Sequence, residues 1–469
     1  MRTFTIILLT FFVLSFFSGC AATAPPPAPE PIEPPAPLDY GKELGQRFLK
    51  TALKEYTFVR DPEVVQVVNQ VGREIVQAIG EDPSTYHFLV VRQNQLNAFA
   101  IPGGYIFIFD GLMKRFDSLE ALAGVLAHEI AHVRLNHFFK DAKKINAINL
   151  ATMASIILAG LAGEGQGATG TIAIAANVSL QLQFSRKNEE EADLHAVRFL
   201  NQTDYHPDGL STFFKTLSFY QQFTQGDAPS YLSTHPGVDE RRFMVEDLVA
   251  NLPLKEKPPH LPTVDWGRIA VILRAGDGRR GQSPLADPGN GEQPLDVERR
   301  LYLTGFSALK SGELQTALRS YQEVIRINPT KAIYYADLSQ IFMGLQQAPQ
   351  AKEAALKSIS LAEDNADPYL VLGMIAQSEE DHQRAVAHLE KARIRAPGNP
   401  MIHFQLARSY HALSQSAVER YHLGKYHRLN LSPEQAVVEF RKALKFTDTE
   451  SVLGQKTLRE IEEIAQEGL

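Results

Sequence analysis

The residues best suited to act together chemically form the string His128-Glu-Ile-Ala-His132. In a helix, positions 128 and 132 differ by about 40° around the axis, so both imidazoles leave one face about one turn apart. That geometry lets both side chains bind one zinc ion, with Glu129 placed to deprotonate a water that the metal activates. The alternative, a histidine pair without a metal, would bury these groups among apolar residues without a charged partner.

A catalytic zinc site also needs a third protein ligand and an open position for water. His137 lies five residues after His132 and should point about 140° away, which excludes it as a ligand. An acidic helix start over 185–193 offers Glu189 and Asp193, four residues apart on one face. One of these carboxylates can bind zinc while the other accepts a hydrogen bond from a ligand histidine. The alternative is a solvated acidic turn that suits the helix dipole.

The elements that must position these residues are mainly helices. Apolar residues at helical spacing predict a helix over 40–60 and another that starts at Asp61-Pro62, with a capping aspartate before a proline. A long helix that begins at Ser118 carries the two histidines. Residues 86–92 and 105–109 are rich in β-branched and aromatic residues and are predicted strands. Together they predict an α+β domain with a small sheet.

Length and composition exclude several classes of protein. The 469 residues exceed what one hydrophobic core usually serves, so two or more domains are expected. A net charge of −7 gives no reason to expect nucleic acid as a partner. A single cysteine excludes an intramolecular disulfide framework, a cysteine-ligated zinc ribbon and an iron–sulfur site.

That cysteine, Cys20, follows an apolar run over 3–17 and two small residues. The pattern predicts a lipoprotein signal peptide over 1–19, with Cys20 lipidated, and the alanine after the cysteine favours the outer membrane. The alternative is a plain signal peptide that is cut near 22–24. Residues 20–39 are rich in proline and predict an extended tether between the lipid and the first domain.

Two further segments stand out between the motifs and the end of the chain. Residues 147–182 hold two apolar stretches of about 15 residues each, which is short for a membrane span of about 20. They are interpreted as a buried helical hairpin, or alternatively as one that contacts lipid or covers substrate. Residues 251–297 are rich in proline, glycine and charge and are predicted to form an interdomain linker.

A period of 34 residues begins near 298. Small residues recur at two places in each period and prolines lie near the end of two periods, at Gly305, Ala317, Pro329, Ser339, Ala351, Gly373, Ala385 and Pro397. The period predicts an α-solenoid of tetratricopeptide repeats over 298–469, with an irregular helical bundle as the alternative. The next match, at Gly424, is displaced by 17 residues, which predicts an extra helix or a split repeat. Such arrays hold peptides or proteins on a concave surface.

Four segments in this order, NAFAIPGG, HEIAHV, SRKNEEEAD and STHPGVDERR, resemble the gluzincin metallopeptidases of the HtpX, BepA and Oma group. The resemblance covers about 40–250 and implies a zinc metalloprotease domain there, with one Zn²⁺ per chain. It implies that His128, His132 and Glu189 bind the zinc. It also implies that Glu129 is the general base and acid.

The same resemblance assigns the surrounding residues. Asp193 orients a ligand, His235 lies on a loop over the site where it can approach the zinc as a gate, and Arg241 follows that loop. Asn97 and the strand from Gly103 to Phe107, with Gly104 and Tyr105, match the edge to which an extended substrate adds as a strand.

The expected function is a periplasmic, lipid-anchored zinc metalloendopeptidase at the outer membrane. It would act on unfolded or assembling envelope proteins in quality control, with the client, and an outer-membrane assembly complex as a further partner, held by the repeats. The alternative is a chaperone or assembly scaffold whose protease is kept inactive by His235. An integral membrane protease is disfavoured because the apolar hairpin is short.

Overall fold

A computed structural model describes residues 38–116, 118–138, 185–223, 231, 235–253, 264–275 and 297–466 of the chain. The predicted signal peptide, Cys20, nearly all of the tether and the apolar hairpin over 147–182 lie outside these residues. None of the helices in the described part combines the length and apolar character that a bilayer crossing requires.

The helices before the repeats include those that the sequence predicts. Their bounds are α1 (Leu38–Glu55), α2 (Pro62–Ala78), α3 (Asp110–Met113), α4 (Leu119–Arg134), α5 (Arg186–Gln202), α6 (Gly209–Phe223), α7 (Val238–Asn251) and α8 (Trp266–Ala275). Asp61 accepts a hydrogen bond from the Glu63 N–H before α2, and Ser118 accepts one from the Ala121 N–H before α4. Both caps satisfy backbone donors that a first helical turn leaves without partners, so they explain why the predicted starts are correct.

Helix α4, which carries His128, Glu129 and His132, lies at the centre of this part of the chain. It packs against α2, α5, α6 and β2. Every residue of 119–132 except Glu120 is buried. A helix with neighbours on all sides is normally apolar all round, so its two histidines and glutamate are polar groups held inside a core.

The sheet has three strands, β1 (His87–Val91), β2 (Ala98–Ile101) and β3 (Tyr105–Phe109), in the order β1-β3-β2. Strand β3 pairs in parallel with β1 and antiparallel with β2. The predicted position of the substrate edge, Gly103 to Phe107, is therefore wrong, because β3 is the central strand and both of its sides are paired. Among the described residues, the side of β2 away from β3 has no strand partner.

Gly103 and Gly104 form the tight turn between β2 and β3, with φ of 87° and 82°. A Cβ at Gly104 would lie 2.0 Å from the Thr85 carbonyl oxygen, so no side chain fits there. Tyr105 is buried, and its ring stacks on His87 with centroids 4.6 Å apart. These contacts explain why such residues occur here without any substrate, and their substrate-binding role stays a prediction.

The described chain from 297 onward is helical. Its helices are α9 (Val297–Lys310), α10 (Leu314–Ile327), α11 (Ala332–Gly344), α12 (Ala348–Leu361), α13 (Asp367–Ser378), α14 (His382–Arg395), α15 (Pro400–Ala412), α16 (Ser416–Leu429), α17 (Pro433–Ala443) and α18 (Val452–Gln466). Helices α9 with α10, α11 with α12, and α13 with α14 pack as successive pairs. The predicted array of helical repeats is confirmed.

The displaced match at Gly424 reflects an extra helix. A Cβ at Gly305 in α9 would lie 3.0 Å from the Tyr321 ring of α10, and one at Gly424 in α16 would lie 2.4 Å from the Phe440 ring of α17. The two glycines therefore play the same part, and α16 with α17 forms a repeat like α9 with α10. This leaves α15 as the helix inserted between two complete repeats.

The predicted linker, 251–297, contains helix α8, which the sequence patterns do not predict. Trp266, Ile269 and Ile272 are buried in the same core as residues of α4 and α9. This segment therefore joins the two halves by packing, in addition to covalent connection. The domain boundaries of 40–250, 251–297 and 298–469 stay predictions.

Arg268 of α8 is the centre of a buried polar cluster between the two halves. It donates to Asp337 in α11 through Nη1 at 2.6 Å and Nη2 at 3.0 Å, and to Glu63 in α2 through Nε at 2.8 Å. Its guanidinium also lies 3.7 Å from the Phe306 ring centroid. At the far end of the repeats, Gln46 of α1 donates to the Gln466 carbonyl. The repeats thus contact the first half at both ends.

Candidate metal centre

Four buried side chains from three segments bring potential metal-ligand atoms together. His128 and His132 come from α4, Glu189 from α5, and His235 from the segment before α7. One ligand atom from each lies within 4.8 Å of the others. The structure thus groups the three residues expected to bind zinc with the histidine expected to act as a gate.

The distances between these atoms suit a single tetrahedral ion. His128 Nε2 lies 2.9 Å from His132 Nε2 and 3.5 Å from His235 Nδ1. Glu189 Oε1 lies 3.5 Å from His132 Nε2 and 3.1 Å from His235 Nδ1. Bonds of about 2.0–2.1 Å at tetrahedral angles place zinc ligands about 3.3 Å apart. Since imidazole and carboxylate are also donors that zinc accepts, the residues present fit this ion.

Asp193 and Arg241 support the ligands from behind. Asp193 Oδ1 lies 2.9 Å from His128 Nδ1, which leaves Nε2 of that ring toward the ligand cluster. Arg241 donates to both Asp193 oxygens at 2.7 Å, and its Nη1 lies 2.5 Å from Glu189 Oε2. The spacing in the sequence allows either carboxylate to face the metal. The structure places Glu189 among the ligand atoms and Asp193 behind His128.

Charges within this core determine the protonation of its members. Burial lowers the pKa of His128, but hydrogen bonds to Asp193 and Glu189 outweigh burial and raise the pKa to about 9. Burial raises the pKa of Glu189, yet His235 and Arg241 together hold it well below its usual range. The pKa of Asp193 is also lowered, because Arg241 outweighs its burial. Both carboxylates therefore stay ionised.

Glu129 lies beside the ligand atoms with its carboxylate uncommitted. It is buried, and neither of its oxygens accepts a hydrogen bond within the described part of the chain. His235 Nε2 lies 3.7 Å from its Oε1. Burial raises the pKa of Glu129, which makes it a better proton acceptor. A buried carboxylate without such hydrogen bonds is costly in a purely structural role, so it indicates function.

Tyr231 helps to hold His235 over the cluster, and sequence patterns do not predict this role. The two rings stack with centroids 4.2 Å apart and planes 16° apart. The His235 N–H donates to the Tyr231 carbonyl at 2.8 Å, and the Tyr231 N–H donates to the Leu96 carbonyl at 3.1 Å. A tyrosine four residues before a histidine is too common a pattern to identify such a contact.

Of the residues expected to bind substrate, the structure brings Asn97 toward the centre. Asn97 is buried at the start of β2, next to the Leu96 carbonyl that binds Tyr231. Tyr105 pairs with Ile101 at the other end of the hairpin. Since strands rise about 3.3 Å per residue, Gly103, Gly104 and Tyr105 lie about 10 Å or more farther along.

Comparison with known proteins agrees with this geometry. Residues 62–248 match the model of Peptidase family M48. The matched range includes the four grouped side chains, Glu129, Asp193 and Arg241. The predicted resemblance to metallopeptidases is therefore confirmed for the part of the chain that carries the centre.

Individual relatives match over different ranges. The Beta-barrel assembly-enhancing protease of Escherichia coli (strain K12) is 24% identical over 67% of this chain and 66% of its own length. Mitochondrial metalloendopeptidase OMA1 of Schizosaccharomyces pombe is 29% identical over 47% of this chain and 64% of its own length. The chain spans less than two thirds of these relatives. The solved structure of MamA protein is 16% identical over 36% of this chain and 91% of its own, with a TM-score of 0.28, which is too low to support an argument.

Proposed function

We propose that the chain is a zinc-dependent metalloendopeptidase. The observation that carries the proposal is the grouping of His128, His132 and Glu189 around one point, with the buried carboxylate of Glu129 beside it. The match to Peptidase family M48 supports it, as do relatives named as a protease and a metalloendopeptidase.

The roles of the side chains follow from their positions. A bound zinc ion would polarise a peptide carbonyl and acidify a water molecule. Glu129 would accept the proton of that water and pass it to the leaving amine. Asp193 holds the His128 ring, and Arg241 neutralises both Asp193 and Glu189. The buried setting strengthens each of these electrostatic contacts.

His235 makes the arrangement a closed one. Its Nδ1 takes the fourth ligand position, whereas a catalytic zinc site keeps that position open for water or substrate. We infer that the His235 segment moves away before a peptide binds. The same observation favours a second candidate function, in which the chain acts mainly as a chaperone or assembly scaffold and its peptidase stays closed.

The proposed substrates are unfolded outer-membrane β-barrel proteins during assembly, because relatives are named for β-barrel assembly. The proposed binding edge is the outer side of β2 (Ala98–Ile101), to which an extended peptide would add as a strand next to Asn97. The repeats would hold the client or an outer-membrane assembly complex. Lipidation of Cys20 would place the protein in the periplasm at the outer membrane.

The test is cleavage of an unfolded outer-membrane β-barrel protein by the zinc-loaded chain. We expect His235→Ala to cleave faster than the wild type and Glu129→Gln to show no cleavage. Wild-type rates in Glu129→Gln would contradict the proposal. If none of the three proteins cleaves but all of them accelerate folding of the barrel, the scaffold function is correct.

A further inference from the structure

His137 lies directly behind one of the metal ligands, although it does not join the ligand cluster itself. Its Nδ1 lies 3.0 Å from His132 Nδ1, and the two rings meet at 77°. Its Nε2 lies 3.2 Å from Glu191 Oε2. His137 is fully buried, whereas the side chain of Glu191 is 35% exposed. A row of three polar side chains therefore runs from the ligand cluster to the surface.

The direction of these hydrogen bonds follows from the position of His132. Its Nε2 lies among the ligand atoms, so the ring binds a metal through Nε2 and keeps its proton on Nδ1. His137 Nδ1 must then accept that hydrogen bond, which places the His137 proton on Nε2. This N–H is directed to the Glu191 carboxylate, which accepts it. Every donor meets an acceptor with both imidazoles neutral, as a histidine ligand must be.

The two ligand histidines are thus supported in different ways. Asp193 contacts His128 directly, and Arg241 neutralises that carboxylate inside the core. His132 reaches its carboxylate through an intervening imidazole. Rotation of the His132 ring would break its contact with His137 and would move Nε2 away from the other ligand atoms.

We propose that His137 and Glu191 are positioning residues that fix the ring orientation and tautomer of His132 and thereby set the affinity of the centre for zinc. The inference rests on the proposed binding of zinc by His128, His132 and Glu189. Loss of a partner that holds a ligand histidine typically costs about 10–100-fold in metal affinity.

The primary test is the zinc dissociation constant of the full chain, measured by competition with a chromophoric chelator. His137→Ala removes the acceptor for His132 and should weaken zinc binding about 10–100-fold. Glu191→Gln keeps an acceptor oxygen but loses the charge, so its loss should stay below about tenfold. Glu190→Gln makes the same change at the neighbouring exposed position and should leave the affinity unchanged.

Two amide variants separate positioning from packing. Asparagine at 137 places its oxygen near the position of the imidazole Nδ1, so His137→Asn can still accept from His132. Glutamine places its amide near the Nε2 position, so His137→Gln leaves His132 without that acceptor. We expect His137→Asn to retain most of the affinity and His137→Gln to lose as much as His137→Ala. A role in packing alone would give the reverse order, because glutamine fills more of the space.

The cobalt-substituted protein supplies a second readout that does not depend on activity. The visible bands of bound Co²⁺ respond to the geometry of its ligands. We expect His137→Ala and His137→Gln to shift these bands and Glu190→Gln to leave them in place.

Unchanged zinc affinity and unchanged cobalt bands in His137→Ala would overturn the proposal, as would losses that follow side-chain size. If His137→Ala fails to fold, equal affinities of Glu191→Gln and Glu190→Gln would overturn it instead. A wild-type protein that binds zinc but cleaves no substrate would contradict the proposed peptidase, while the ranking of zinc affinities would still decide the role of His137.

Discussion

His235 Nδ1 lies 3.1 Å from both carboxylate oxygens of Glu189. This distance suits a hydrogen bond and also suits two ligands of one tetrahedral zinc ion. The histidine before α7 therefore completes a ligand set that α4 and α5 begin. Because the fourth position cannot hold His235 and a substrate at once, closure of this segment and peptide binding exclude each other.

Glu129→Gln should abolish proteolysis and leave zinc bound. Glutamine keeps the size of the side chain but cannot take a proton from water, and general base catalysis contributes about 10²–10⁴-fold. The measurements are the cleavage rate and the zinc content of the purified protein. Loss of zinc from this variant would show that Glu129 holds the metal rather than the proton.

Arg241→Ala should destabilise the metal-free protein strongly. Arg241 is the cation that faces both Asp193 and Glu189 in the core. Removing one partner of a buried ion pair typically costs about 3–5 kcal/mol of unfolding free energy. Arg242→Ala is the matched control, because that guanidinium lies 4.7 Å from the ring of the exposed Phe243 and should contribute about 1 kcal/mol or less. Equal losses in urea denaturation would contradict this difference.

Arg268→Ala should weaken the junction between the peptidase half and the repeats. It would leave Asp337, which is fully buried, without its bidentate partner, at a cost of about 3–5 kcal/mol. The control is Arg326→Ala, whose side chain is 74% exposed and whose pair with Glu323 should contribute about 0–1 kcal/mol. Limited proteolysis should release the repeats from the first variant alone, and an intact junction there would count against this role.

The repeats should lose stability in mild acid. His403 Nδ1 lies 2.9 Å from His422 Nδ1 in the core, and burial, aided by Lys425, lowers the pKa of His403 to about 4. In the unfolded chain this pKa is about 6.5, so the unfolded state binds more protons between these values and stability falls as the pH decreases through them. From pH 7 to pH 5, the free energy of unfolding should drop by about 2 kcal/mol for this group.

Urea denaturation at several pH values measures that slope. His403→Asn should flatten it, because the titrating group is gone. His411→Asn changes a histidine whose side chain is 75% exposed and should leave the slope as it is. Stability that rises as the pH falls from 7 to 5 would contradict the assigned direction of the pKa.

The features that the sequence predicts correctly are set by residues close together in the chain. Asp61 and Ser118 cap helices through N–H groups two or three residues away. The shared face of His128 and His132 follows from helical periodicity alone. The small residues of the repeats predict helix pairs because each pair has the same internal spacing.

Features that depend on distant residues are not readable in the same way. Nothing local indicates that Arg268 should pair with Asp337, since they meet only after two repeat helices have packed. Strand β2 is four residues long and half alanine, which is too short and too weak a pattern for a strand. Helical spacing also excludes His137 as a ligand while giving no sign that it supports His132, because that contact depends on where the chain turns after α4.

The most direct test of the proposed centre is the zinc K-edge X-ray absorption spectrum of the zinc-loaded full chain. We expect scattering from three imidazoles in the wild type and from two in His235→Ala, with one zinc ion bound in each. Two imidazoles in both proteins would contradict the closed arrangement with His235. A spectrum without imidazole scattering would contradict the assignment of His128 and His132 as ligands.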